Sequence, residues 1–175
     1  MSQMQPGATA GVESAGVGIR PGLDQLKREM KTIIFACVHN AGRSQMSAAF
    51  FNKLADSTKA KAISAGTHPA SHVHPEVVQA MHEVGIDLSG AKPQRLTEEL
   101  ARGAGLLVTM GCGDECPYIP GLRRDDWPLP DPKGKGIEEV RAIRNEIQAR
   151  TLRLIASEAV GKTAPEPSGK VKSSK

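Results

Sequence analysis

The residues with the most chemistry to offer stand close together. In "FACVHNAGRSQM", residues 35–46, Cys37 is followed after five residues by Arg43 and Ser44. If the segment turns from a strand into a helix, the backbone N–H groups of Val38, His39, Asn40, Ala41, Gly42 and Arg43 form a concave anion site with the helix's positive end. The planar fork of Arg43 can hold two oxygens of a tetrahedral oxyanion, so the pocket suits phosphate, arsenate or sulfate. Gly42 is expected to ease the tight curvature, Asn40 to hold the loop's shape through its side chain, and His39 to serve as a donor in the pocket wall. A thiol at a helix N-terminus beside a guanidinium ionises readily. The Ser44 hydroxyl can donate to it, which makes Cys37 a thiolate nucleophile aimed at the bound oxyanion. A cysteine ending a strand is commonplace by itself; the full spacing between strand and helix is far more demanding.

Two further groups carry possible chemistry. Asp131 lies in "PLPDP", where a rigid proline-flanked loop could hold a carboxylic acid to protonate a departing oxygen; Asp125 and Asp126 are rivals, and a turn aspartate capping amides is the plain alternative. Cys112 and Cys116 stand in the loop after an apolar run, and one helical turn would set their Cα atoms ~6 Å apart, within disulfide reach. They are expected at the same sheet end as Cys37, where all three thiols could converge. Plain packing is the alternative, and a lone Cys-x3-Cys pair has no second ligand pair to make a zinc site. His68, His72 and His74 invite a metal reading, yet Pro69 and Pro75 break regular spacing and no acidic or thiol ligand is adjacent. No metal is expected.

The elements that must position these groups follow from pattern. "KTIIFACV" is a buried-strand run, and "RSQMSAAFFNKLADS" sets Met46, Ala49, Phe50 and Leu54 at helical spacing. "AKAISAGTH" predicts a second strand. "HPEVVQAMHEVGI" predicts a second helix, with Pro75 in its first turn and Gly85 as its stop. "QRLTEELARGA" predicts a helix capped by Thr97, "GLLVTM" a third strand, and "DDWPLPDPKGKG" at most a short edge strand. A last helix is expected from about Ile137 to Ile155. Strands alternating with helices imply parallel crossovers: an α/β, three-layer sandwich around a mainly parallel four-stranded sheet.

At 175 residues, 39% hydrophobic, the chain suits one domain, placed at 23–159. Residues 1–22 and 160–175 read as disordered tails, the second basic, and "LDQLKREM" as a short helix or nothing ordered. The net charge is +4, but four lysines against one glutamate within residues 161–175 supply most of it, so neither a nucleic-acid groove nor a membrane surface is expected. No apolar run reaches the ~18 residues of a membrane span and no leader is evident. A cytoplasmic protein is expected, in which three cysteines point to thiol chemistry or burial.

"CVHNAGRSQM", "SAGTHP", "HPEVVQAMHEVGIDLSG", "LLVTMGCGDECPYIPG" and "DDWPLPDP" closely resemble the arsenate reductases built on the low-molecular-weight protein tyrosine phosphatase fold, over about residues 31–158. The resemblance implies that Cys37 attacks arsenate, that Arg43, Ser44 and the loop amides bind it, and that Asp131 is the general acid. The expected route is a Cys37–arsenate adduct, attack by Cys112 releasing arsenite, and resolution of the Cys37–Cys112 disulfide by Cys116. No cofactor is bound in that reading; an external thiol restores the pair, either thioredoxin, or mycothiol or glutathione with a glutaredoxin-like protein. The Cys-x3-Cys spacing is tighter than in familiar thioredoxin-coupled members, which keeps the small-thiol route in play. The alternatives are a phosphatase and a non-catalytic oxyanion or redox sensor. Against phosphatase stand the aromatic content of 3%, Lys133-Gly134 where tyrosines usually follow the Asp-Pro motif, and Gly42 where a second cysteine usually stands.

Overall fold

The computed structural model describes residues 30–163. Seven consecutive residues, Lys31–Cys37, form β1, whose last five side chains are all buried. The chain then turns directly into α1, Arg43–Leu54. There follow β2 (Ala60–Gly66), α2 (Pro75–His82), α3 (Glu98–Arg102), β3 (Leu106–Thr109), β4 (Arg123–Asp126) and α4 (Ile137–Ser157). The strands lie in the order β2-β1-β3-β4 and every pairing is parallel. In register, Cys37 pairs with Gly66 and Ala36 with Thr109, so the carboxyl ends of β1, β2 and β3 come level at one edge. Ligands gather at that edge in such sheets.

Alternate residues of β1 serve two cores, as strand geometry requires. Ile33, Phe35 and Cys37 join α1, α2 and α4 on one face, with Phe50, Phe51, Met81 and Ile147. Ile34 and Ala36 join Ala65, Leu96, Leu107, Cys112 and Cys116 on the other, under the much shorter α3. The expected three layers are present, with the thicker helical layer on the Cys37 side.

Several boundaries differ from the sequence expectations. The third helix, expected within residues 94–104 with Thr97 as its cap, spans Glu98–Arg102, and the Thr97 side chain accepts from the Leu100 N–H. The edge strand was expected no earlier than Asp125 but is Arg123–Asp126, exposed at all four residues. The carboxyl end of the domain also lies later than 159. Val160 is only 2% exposed within the first core and Gly161 bridges to Ala55, so packing runs into the segment read as tail. The expectations for residues 1–22 and for "LDQLKREM" up to residue 29 lie outside the described residues. Among the described residues no helix is long and apolar enough to cross a membrane.

Candidate active site

The loop between β1 and α1 is held from outside by the chain that follows β2. Thr67, His68, Ala70 and His74 donate their backbone N–H groups to the carbonyls of Cys37, Val38, His39 and Ala41. In a planar trans peptide each N–H points opposite to the neighbouring carbonyl, so the N–H groups of Val38, His39, Asn40 and Gly42 face away from that clamp. They crown the start of α1, whose first turn carries no acidic residue. The irregular "THPASHVH" stretch therefore acts as a scaffold. His68 lies 3.3 Å from Glu115, His72 meets Ser71, and His74 caps α2, so the three histidines do not converge. Among the described residues no cluster of three ligating side chains could hold a metal ion.

Asn40 takes a left-handed backbone, at φ 48°, which asparagine tolerates. Its Oδ1 accepts from the Gln94 backbone N–H at 2.9 Å, and its Nδ2 donates to Ser44 Oγ at 2.8 Å. Because a backbone N–H can only donate, this orients the amide, and the Ser44 proton is left for the Cys37 sulfur 2.9 Å away. Gln45 adds a bond from its Nε2 to the Asn40 carbonyl. Cys37 is 2% exposed and is the free cysteine among the described residues. The sulfur thus lies buried at the N-terminus of α1 with a hydroxyl donor in contact.

Arg43 is 6% exposed. Its Nη1 donates to the Leu129 carbonyl at 2.9 Å and its Nη2 to Asp131 Oδ2 at 3.0 Å, while the buried Nε has no partner among the described residues. A buried guanidinium with an unused donor beside a rim of N–H groups leaves room for an oxyanion as the missing acceptor. Asp131 is brought to this place by a loop anchored at Trp127, Leu129 and Pro132, all buried, with the Trp127 ring 5.5 Å from that of Phe35. Its rivals are engaged elsewhere. Asp125 accepts from Trp127 Nε1 at 3.0 Å and Asp126 from Thr109 Oγ1 at 2.6 Å. His39 Nδ1 also faces Asp131 Oδ2, at 3.9 Å. Burial pushes the nearby His74 imidazole below its ordinary value, against the opposing pull of Glu76 and Asp131.

Gly42 is required here for a close approach as well as for the turn. A Cβ there would lie 2.5 Å from Pro132 Cγ. The missing side chain is what lets the Asp-Pro loop close on the anion loop. Gly42→Ala should accordingly destabilise the fold by roughly 1–3 kcal/mol, as overpacking of a filled site does, and urea unfolding would measure it. Gly111 has φ +75°, and a Cβ there would sit 2.8 Å from Arg43 Nη1, so the segment leading to Cys112 rests against the guanidinium. The roles of Leu129, Gln94 and Gly111 were not legible in the sequence, since each acts through its backbone.

Cys112 and Cys116 are joined by a disulfide, with Cα atoms 5.8 Å apart across a 3-10 turn at Gly113–Glu115. Turn and spacing are as expected, but the convergence of three thiols is not reached. The pair packs with Ile34 and Leu107 on the face of the sheet opposite Cys37. Cys116 lines a cavity of about 610 Å³ with Gly111, Gly113, Asp114, Tyr118, Arg124 and Asp126.

This fold and site define a class: the low molecular weight phosphotyrosine protein phosphatase family, whose model matches residues 32–165, and the chain belongs to it. Within that class several similar proteins are arsenate reductases by name, while a solved neighbour from Geobacillus stearothermophilus, 25% identical with a TM-score of 0.60 and covering 74% of this chain and 93% of that one, is an arginine phosphatase. A protein of Halobacterium salinarum assigned as an arsenate reductase is 41% identical over 126 residues, covering 69% of this chain and 87% of that protein. The glutaredoxin arsenate reductase of Synechocystis is 34% identical over 130 residues, covering 73% and 98%. The thioredoxin-dependent arsenate reductase of Corynebacterium glutamicum superposes with a TM-score of 0.65 at 37% identity, covering 77% of this chain and 64% of that one.

Proposed function

We propose that this protein is an arsenate reductase of arsenic detoxification, working through a cysteine adduct and thiol–disulfide exchange. The observation that carries the reading is the Cys112–Cys116 disulfide, set on the segment that leans on Arg43 through Gly111. Hydrolysis of a phosphoester needs no second and third thiol, whereas reduction of pentavalent arsenic needs two electrons from such a pair. The arsenate reductases named above support the same conclusion.

In this reading the N–H groups of residues 38–43 and the Arg43 fork bind arsenate, and binding draws Arg43 away from Asp131. Cys37 Sγ attacks arsenic, and Asp131 protonates the departing oxygen. Cys112 then attacks Cys37 Sγ, the S–As pair passes to arsenic, and arsenite leaves. Cys116 attacks Cys112, freeing Cys37 and leaving the Cys112–Cys116 bond, so the described state corresponds to the end of one turnover. For Cys112 to reach Cys37 the 111–116 segment has to swing from one face of the sheet to the other. An external thiol, thioredoxin or a glutaredoxin-like protein with a small thiol, reduces the pair.

The test is NADPH oxidation with arsenate, run with a thioredoxin system and separately with a thiol–glutaredoxin system, beside hydrolysis of an aryl phosphate. Arsenate-dependent oxidation is the expected result. Hydrolysis alone would make the protein a phosphatase, and neither activity would leave an oxyanion or redox sensor.

A further inference from the structure

We propose that His39 recharges Asp131 with a proton between the two chemical steps, a role that rests on the arsenate reductase reading above. In a phosphatase the acid gives its proton to the leaving oxygen and recovers one from the water that attacks the cysteine adduct. A reductase has no attacking water. In the first step the Cys37 S–As bond forms, an As–O bond breaks, and that oxygen leaves as water with the Asp131 proton. In the second, the Cys112 thiol takes the Cys37 sulfur, its own proton passes to an arsenite oxygen, the S–As bonding pair goes to arsenic, and trivalent arsenite, its oxygens more basic than those of arsenate, takes up one further proton as it departs. Balanced over both steps, dihydrogen arsenate, the Cys37 thiolate, the Cys112 thiol and two protons yield the disulfide, arsenous acid and water. Asp131 brings one of those protons, and nothing in the reaction restores it.

Asp131 Oδ2 has two basic side chains as neighbours, with Arg43 Nη2 at 3.0 Å and His39 Nδ1 at 3.9 Å. A guanidinium does not give up a proton in a protein, whereas an imidazole exchanges one near neutrality. His39 Nδ1 is buried without a hydrogen-bond partner among the described residues, yet 35% of its side chain is exposed. The ring thus has one nitrogen turned towards the acid and an edge in water from which to reload. The groups facing this pair are Arg43 from α1, His74 at the start of α2, and Glu76 and Lys133 beside His74. His74, which does not contact Asp131 and whose charged form burial disfavours, is not the proton source. His39 acts through Asp131 and is in that sense a positioning and relay residue.

The test is single-turnover arsenite release by the fully reduced, full-length protein, followed from about pH 6 to about pH 9, the range a histidine commands. The parent rate should fall as pH rises across this range. His39→Ala should release arsenite about tenfold more slowly near neutrality, within what one proton-transferring group contributes, and should lose that inflection. Added imidazole should restore it. His39→Gln, which keeps bulk and a donor N–H without an exchangeable acid, should show the same lost inflection. A flat parent profile, an undiminished variant rate, or a slowed variant that keeps the inflection and ignores imidazole would overturn the proposal. A parent that releases no arsenite at any pH defeats the arsenate reductase reading itself, and this is seen before any variant is compared.

Discussion

A Cys116→Ser variant, reduced and then given arsenate with thioredoxin as the sole reductant, should release one arsenite per polypeptide and stop. Cys37 can still attack and Cys112 can still take its sulfur, so the first equivalent of arsenite forms. What fails is resolution, because a serine hydroxyl does not exchange with a disulfide. The stalled Cys37–Cys112 bond would be anchored at a sulfur only 2% exposed, on the face of the sheet away from the open cavity. Cys116, by contrast, lines a cavity of about 610 Å³ at the surface, where a protein thiol could approach. Mass spectrometry of the stalled protein should find the peptide carrying Cys37 joined to the one carrying Cys112. Continued turnover at the parent rate would remove Cys116 from the route. Cys112→Ser should stall one step earlier and release no arsenite, which separates the two thiols.

What the sequence made legible were features set by contiguous residues. "KTIIFAC" is apolar enough to be a central strand wherever it lies, and the turn into α1 follows from Gly42 and from the helical spacing of Met46, Phe50 and Leu54. Thr97 announced its cap because capping is local. The edge strand was misplaced since Arg123–Asp126 has neither alternation nor burial: its register is imposed by pairing to Leu106–Thr109, and the apolar anchors Trp127 and Leu129 belong to the loop after it. Val160 packs through contacts with residues far away in the chain, and composition alone gave it to the tail.

The candidate site divides in the same way. The Cys37, Arg43 and Ser44 spacing suggests an anion loop, and Asn40 was expected to hold that loop's shape through its side chain, which bonds Gln94 and Ser44. The choice of Asp131 over Asp125 and Asp126 depends on which strand-end contacts the rivals make, and that needs the sheet. Likewise a loop of suitable Cys spacing says nothing about which face of the sheet it covers, so the separation of the Cys112–Cys116 pair from Cys37 became visible only in three dimensions. The clamp on the loop carbonyls is made by backbone N–H groups, which no residue type encodes.

Arg43→Lys should be the most damaging substitution that preserves charge. The guanidinium uses Nη1 on the Leu129 carbonyl and Nη2 on Asp131 and keeps Nε unoccupied, so it ties the acid loop to the anion loop while holding a donor in reserve. A lysine ammonium is a single point of charge on a flexible stem and cannot serve these directions together. Phosphate, a non-reducible mimic of arsenate, should bind more weakly, and kcat/KM for arsenate should fall about 100- to 1,000-fold, the loss typical of removing one preorganised donor to a developing oxyanion. The fall should lie mainly in kcat, because Asp131 loses its anchor as well as the substrate losing its fork. Calorimetric titration with phosphate and steady-state kinetics would separate the two effects. If KM rose while kcat held, Arg43 would be a binding residue only, and the closure of the Asp131 loop on the anion loop would have to be credited to Pro132 resting on Gly42.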